Sequence, residues 1–276
     1  MTSWRSLLNK HLKTASRPLV VVLGPTASGK TALSIAIAAA LCKEGKAAEV
    51  INVYSRQLYR ALDIGTAKIT AEQQQGIVHH LIDVLDPKQE ATAGWYQQQA
   101  TAVIETVHQQ EKIPLLVGGS MLYLSTIIDG LTLAPDPSPE QRKKLVEKYE
   151  LDAGASLHMR LKQIDPDAAA AIHPHNQPRL VRAVELCELT GKADGGIGRD
   201  QLRSSRANVN YDLLILAPHW PRKELYERIN RRTKQMMQDG WIEEVQTLID
   251  RGYTAEDPGM KSHGYREIMT ALKQSD

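Results

Sequence analysis

The stretch Leu19-Val20-Val21-Val22-Leu23-Gly24-Pro25-Thr26-Ala27-Ser28-Gly29-Lys30-Thr31 decides the fold. Its first five residues are apolar, three of them β-branched, and read as a buried strand. The next eight match the spacing G-x-x-x-x-G-K-[ST] in full, and an alanine-rich run from Ala32 to Leu41 continues as a helix. Strand, glycine-framed loop and helix N-terminus form the context that a phosphate-binding P-loop requires. Gly24 and Gly29 permit turns that a Cβ would block. Successive N–H groups then make an anion nest at the positive end of a helix. Lys30 adds a compact charge for an outer phosphate, and Thr31 offers a hydroxyl to Mg²⁺. The competing reading is a Gly-rich turn before an ordinary helix. Motif and context agree, so Gly24, Pro25, Thr26, Ala27, Ser28, Gly29, Lys30 and Thr31 are the candidate phosphate-binding residues. The loop alone leaves open whether the ligand is a nucleotide or another diphosphate.

Working outward, Glu49 to Tyr54 reads as a second strand with Ser55-Arg56-Gln57 at its C-terminal end. In open parallel sheets ligands sit beyond that end of the strands, which brings Tyr54, Ser55, Arg56 and Gln57 towards the P-loop ligand. His79 to Val84 reads as a third strand. Its adjacent histidines fall on opposite faces, which argues against a metal pair. A helix over Ala93 to Gln110 precedes a fourth strand, Ile113 to Val117. That strand runs into Gly118-Gly119-Ser120, where backbone can approach a ligand closely and Ser120 presents its hydroxyl to the same crevice. Met121 to Ile128 opens another helix. Alternating strands and helices imply a doubly wound parallel sheet.

Three prolines between Pro135 and Pro139 mark a change of character. From Glu140 to about Gly191 the patterns are helical only, with four helices expected. The last, Arg179 to Leu189, carries Leu180, Val184 and Cys187 on one face. The domains therefore read as 1–134 for the first part of a P-loop α/β core, 135–192 for a helical insertion, and 193–276 for the rest of the core. Lys192 to Arg206 reads as a connector. A fifth strand at Asp212 to Leu216 leads to a helix from Arg222 to Gly240, continuing over Trp241 to Ile249. Arg228, Arg231, Arg232 and Lys234 lie along it. A solvated charged face and an anion-binding role both fit them.

Bulk composition narrows the function classes. The chain has 276 residues, 42% of them hydrophobic, and a net charge of +2, so composition alone does not indicate nucleic-acid binding. Cys42 and Cys187 lack metal-ligand spacing and suit a reducing compartment. No apolar run reaches the length of a membrane span. Met1 to Arg17 is basic but has no signal-peptide apolar centre, and reads as a short helix or a disordered lead. A cytoplasmic, monomeric protein without membrane attachment is expected.

Taken together, these landmarks resemble the tRNA dimethylallyltransferase (tRNA isopentenyltransferase) family. The matching stretches are the P-loop itself, Ser55-Arg56-Gln57-Leu58-Tyr59, Asp63-Ile64-Gly65-Thr66-Ala67-Lys68 and His79-His80-Leu81-Ile82-Asp83. Further along are Gly118-Gly119-Ser120-Met121-Leu122-Tyr123, the run from Asp165-Pro166 to Arg179 and Arg182, Leu189-Thr190-Gly191-Lys192, Leu225-Tyr226-Glu227-Arg228-Ile229 and Gly264-Tyr265-Arg266-Glu267. Order and spacing hold from about Pro18 onward.

The resemblance implies a P-loop NTPase-like sheet with a small inserted helical domain. It implies transfer of a dimethylallyl group from dimethylallyl diphosphate to N6 of an adenosine next to a tRNA anticodon. In that family the P-loop holds the diphosphate with Mg²⁺ and hydrolyses no ATP. By the same carry-over, Ser120 contacts the reacting centre and target nucleotide, alongside Tyr54, Ser55, Arg56 and Gln57. Arg228 or Arg232 neutralises phosphate, and Arg142, Arg179 and Arg182 grip the anticodon stem-loop through its backbone. Two departures stand out. The family carries an Asp as general base immediately before the Ser-x-Gln-x-Tyr stretch, where this chain has Tyr54; a phenol of reference pKa ~10 is a poor base at neutral pH. The family also continues past Gly-Tyr-x-Glu with a basic, Trp-containing helix, whereas this sequence ends at Asp276. Impaired transfer is the expectation. An adenylate isopentenyltransferase, a P-loop small-molecule kinase and a silent RNA- or diphosphate-binding paralogue stay open as alternatives.

Overall fold

The computed structural model describes residues 3–131, 133, 138–193 and 209–275. The chain divides into two compact units, one formed by Met1–Ile128 with Asn210–Asp276 and the other by Asp129–Val209.

The first unit is built on five strands: β1 (Pro18–Leu23), β2 (Ala48–Val53), β3 (His79–His80), β4 (Ile113–Gly118) and β5 (Asp212–Leu216). They run in the order β3-β2-β4-β1-β5, every pair parallel. Period-2 alternation explains how one strand serves two cores. Leu19 and Val21 of β1 join a cluster with Ile51, Val53 and Leu116, while Val20 and Val22 join another with Val50, Leu115 and Val117. Helices α1 (Trp4–Thr14) and α2 (Lys30–Lys43) cover the second cluster through Leu8, Ile37 and Leu41. The first cluster is covered by α4 (Ala93–Gln109), α5 (Met121–Ile128), α10 (Arg222–Gln238), α11 (Trp241–Asp250) and α12 (Tyr265–Ser275). Burial on both faces is why β1 and β4 are near-continuous apolar runs, whereas the edge strands β3 and β5 are exposed or half-buried over most of their length.

Three local readings need correction. β3 stops at His80 instead of reaching Val84, because Leu81 and Asp83 adopt positive φ of 59° and 57° and leave the extended region. The chain then crosses as a loop and bridges Tyr59 through Leu85. The helix from Arg222 does not run on through Trp241. Gly240, at φ 96°, breaks it and starts α11. A short helix, α3 (Ala71–Gln74), was overlooked although its signal is present: Thr70 and Gln73 form a capping box. The histidine pair has structural partners. His79 Nδ1 lies 2.8 Å from the Ile77 carbonyl, and His80 Nε2 lies 2.6 Å from the Glu49 carboxylate.

The second unit contains α6 (Pro139–Asp152), α7 (Ala155–Ile164), α8 (Pro166–Ala171) and α9 (Gln177–Thr190). Leu180, Val184 and Cys187 are buried together against Leu157 and Leu161. The caps are local: Ser138 accepts from Gln141 N–H, Asp165 from Ala168 N–H, and Asn176 from Arg179 N–H. Most of the expected connector, residues 194–206, lies outside the described residues.

Gly118 sets how closely β4 and β2 can pack. A Cβ there would sit 2.4 Å from the Val53 carbonyl carbon and 2.6 Å from its Cβ. Backbone cannot swing aside as a flexible side chain can. Gly118→Ala is therefore expected to lower stability by about 3 kcal/mol, in the upper range for overpacking, read as a lower urea midpoint at unchanged m-value.

Candidate active site

Parallel pairing brings the C-terminal ends of β1, β2, β4 and β5 to one edge of the sheet. There the chain forms a crevice of about 1300 Å³ whose walls are the P-loop, Tyr54 to Gln57, the loop 63–68, Gly119-Ser120 and one side of α10.

The P-loop is shaped by its own backbone. Gly29 is the N-cap of α2 at φ 90°, and Ala27 also lies in the left-handed region at φ 61°. Three carbonyls of the loop are claimed by donors. Lys30 Nζ donates to Pro25 O at 2.7 Å, Arg228 Nε to Ala27 O at 2.8 Å, and Trp220 Nε1 to Ser28 O at 2.8 Å. Gly119 approaches the loop so closely that a Cβ would lie 3.2 Å from the Gly24 carbonyl oxygen and 3.9 Å from Lys30 Nζ. The two glycines at the end of β4 thus have separate tasks: Gly118 lets strands close, and Gly119 admits the P-loop.

Lys30 is buried, and its pKa is pulled down to about 8 by desolvation and then by the charge of Arg232. Its ammonium sits 5.1 Å from the Tyr54 ring centroid. Burial pushes the Tyr54 phenol above its ordinary value, against the opposing influence of Thr31 and Arg232. Tyr54 is therefore a neutral phenol at pH 7. Burial also lowers Arg232 from its ordinary value. Two buried polar atoms at this edge, Ser28 Oγ and Arg232 Nε, have no hydrogen-bond partner among the described residues. Lys30, Arg228, Arg231 and Arg232 all line the crevice, and none forms an ion pair with a carboxylate among the described residues. A site with that donor set takes an anion of several charges.

The remaining sequence-predicted residues divide between the crevice and structural tasks. Ser120 lines the crevice, and its Oγ accepts from Ser55 N–H at 3.1 Å. Gln57 is buried and donates to the Thr66 and Ala67 carbonyls. Arg56 donates to Pro258 O. In the helical unit, Arg142 and Arg182 both pair with Glu185, which is fully buried. Arg179 is exposed. Cation residues chosen for RNA contact thus include two that neutralise a buried carboxylate. Thr31 stands at the first turn of α2 within the crevice. No group of three His, Cys, Asp or Glu able to hold a metal occurs among the described residues.

Several site residues escaped sequence reading. Trp220 gives no periodic signal because it sits in the loop between β5 and α10. Glu244 is a second case. Its carboxylate accepts from the N–H groups of Asp63 and Ile64, at 3.0 and 2.8 Å, and from the Tyr265 hydroxyl. This ties loop 63–68 to α11, while Lys68 holds Asp63 and Asp83 from the other side. Arg232 Nη2 donates to the Thr66 carbonyl of the same loop at 3.3 Å.

A family model described as IPP transferase matches residues 57–276. This chain belongs to the IPP transferase family. The relatives it is similar to include a tRNA dimethylallyltransferase of Geobacter sulfurreducens, 40% identical over 254 residues, covering 92% of this chain and 79% of the relative. Another, from Halalkalibacterium halodurans, is 39% identical over 255 residues, covering 92% and 78%. Among solved IPP transferase structures, that of the full-length tRNA isopentenylpyrophosphate transferase from Bacillus halodurans aligns with a TM-score of 0.63 at 37% identity, over 95% of this chain and 79% of that one. A eukaryotic dimethylallyltransferase captured acting on tRNA aligns with a TM-score of 0.76 at 25% identity, over 94% and 64%. The fold is thus that of an IPP transferase, a P-loop-like parallel sheet with helices. No helix among the described residues is long and apolar enough to cross a membrane.

Burial of a charged lysine has a pH signature. The folded pKa of Lys30 lies below its ordinary 10.5. Between about 8 and 10.5 the unfolded chain therefore binds the extra proton, and stability rises with pH across that window. Lys30→Met is expected to be more stable than the parent at pH 7, by a margin that is constant below about pH 8 and shrinks above it. Urea denaturation of both proteins from pH 6.5 to about 9.5, below the onset of tyrosine ionisation near ~10, measures the difference.

Proposed function

We propose that this chain transfers a dimethylallyl group from dimethylallyl diphosphate to N6 of an adenosine beside the anticodon of tRNA. The observation that carries this reading is the P-loop crevice lined by Lys30, Arg228, Arg231 and Arg232, none of them paired with a carboxylate among the described residues, in a chain of the IPP transferase family. The amine nitrogen forms a bond to the allylic carbon as that carbon's bond to the diphosphate oxygen breaks. The amine loses a proton, and pyrophosphate leaves. Negative charge grows on the leaving oxygen, and cations and N–H groups already aimed there stabilise it without reorganising. Residues Gly24 to Thr31, with Arg228 and Arg232, take the diphosphate in this reading. Ser120 and the segment Tyr54 to Gln57 border the acceptor base.

Mg²⁺ fits as a companion of the diphosphate, with Thr31 Oγ1 as the protein ligand. One hydroxyl, phosphate oxygens and water suit this ion, which keeps much of its hydration. When bound, it would neutralise diphosphate charge. Arg179 and the other basic residues of the helical unit would meet RNA phosphates, and their contribution would be salt-dependent.

Tyr54 bears on the rate. A neutral, half-buried phenol does not take the amine proton at pH 7. We infer that transfer is slow because the position carries no base.

Labelled dimethylallyl diphosphate, unmodified tRNA and Mg²⁺ test the function: label in the tRNA, released as N6-dimethylallyladenosine on digestion, is the expected result. No label from a folded protein that binds pyrophosphate would leave a silent binding paralogue. Tyr54→Phe is expected to transfer at the parental rate, because the hydroxyl does no proton work. Tyr54→Asp is expected to raise kcat by a factor on the order of 10²–10⁴, the usual yield of a positioned base. Single-turnover rates of the three proteins measure both effects.

A further inference from the structure

The loop that follows β5, Ala217 to Pro221, contains an aromatic residue that touches the P-loop and that neither the motif nor the family match explains. β1 and β5 pair in parallel register with Val22 opposite Leu216, so the chain leaves both strands side by side. The P-loop departs from β1, and the segment Pro218-His219-Trp220 departs from β5. Pro218 Cδ lies 3.7 Å from where a Gly24 Cβ would be. Trp220 is half-buried there, and its indole N–H donates to the Ser28 carbonyl at 2.8 Å.

A trans peptide is planar, with its C=O and N–H on opposite sides. Fixing the Ser28 carbonyl towards Trp220 therefore turns the Gly29 N–H away from it. Gly29 lines the crevice, and no protein group among the described residues accepts its N–H. Among the described residues nothing lies within 4 Å of where a Gly29 Cβ would be, so the loop is open beside its Cα. The peptide needs holding: Gly29 at φ 90° is conformationally permissive, and Ala27 is already in the left-handed region. The Arg228 guanidinium, stacked 4.2 Å from the Trp220 ring centroid, holds the preceding peptide through Ala27 O.

We propose that Trp220 is a positioning residue of the diphosphate cradle, its indole N–H holding the Ser28–Gly29 peptide so that the Gly29 N–H faces a ligand oxygen. The inference rests on the crevice being a diphosphate site. It adds a residue outside the P-loop motif that sets the loop's hydrogen-bonding geometry.

Pyrophosphate is the probe, titrated with Mg²⁺ into the full chain by calorimetry. Trp220→Phe keeps an aromatic ring beneath Arg228 and removes the N–H together with the five-membered half of the indole. It is expected to weaken pyrophosphate binding about 5- to 10-fold, the loss of one oriented hydrogen bond. Trp220→His, which retains a ring N–H, is expected to bind more tightly than Trp220→Phe. Compared at pH 8, where an imidazole of reference pKa ~6.5 is largely neutral, neither packing nor added charge would order the two in that way. In ¹⁵N-labelled wild type, pyrophosphate is expected to shift the Gly29 amide resonance, and in Trp220→Phe that shift is expected to shrink. Unchanged affinity in Trp220→Phe, or equal losses in both variants, overturns the proposal while leaving the diphosphate site intact. Wild type that binds no pyrophosphate overturns the site and the proposal together. If Trp220→Phe does not fold, the wild-type Gly29 amide decides: a shift no larger than that of Gly45, in the turn after α2, overturns it.

Discussion

Parallel pairing of β1 with both β4 and β5 is the constraint on which the site depends. Each parallel neighbour contributes its C-terminal end to the same edge, so loops far apart in sequence meet there. Gly24 to Gly29, Gly119-Ser120 and Pro218 to Trp220 come together for this reason. The register needs apolar surface on both faces of the central strands. Leu19 to Val22 supply it by feeding two separate clusters in alternation. Shifting β1 by one residue would exchange the faces and move the P-loop relative to its neighbours.

The crevice is costly to maintain. A desolvated ammonium beside a guanidinium is unfavourable, and the fold meets this cost by turning backbone oxygens towards its cations. Lys30 and Arg228 find P-loop carbonyls, while Arg232 and Gln57 share the carbonyls of loop 63–68. Dipoles temper the charges without neutralising them. The helical unit takes the opposite course with Arg142 and Arg182, setting them against the buried carboxylate of Glu185. Similar residue types thus serve recognition in one place and internal compensation in another.

What could be read from the sequence follows from which features are local. The P-loop is local, since eight consecutive residues and their two flanks carry its geometry. The same holds for the buried strands and the capped helices of the second unit. β3 was read too long because Ile82 and Val84 favour strands, whereas Leu81 and Asp83 are held at positive φ within a loop anchored by Lys68. The tasks of Trp220 and Glu244 were not legible, because each is defined by a partner about 180 to 190 residues away in the chain. Arg142 and Arg182 were legible as cations and not as partners of Glu185. Charge is written in the sequence; the depth at which it is compensated is not.

Arg228 and Arg232 stand four residues apart on α10, one grasping the P-loop at Ala27 and the other grasping loop 63–68 at Thr66. Four residues of α-helix advance about 6 Å. One helix therefore spans the mouth between those two loops, and its rise fixes the spacing of the two arginine Cα atoms. Loop 63–68 is in turn bolted to α11 through Glu244, so it travels with the helical layer instead of flexing alone. Both loops are thus fastened to one helix, and a displacement of α10 would carry them together.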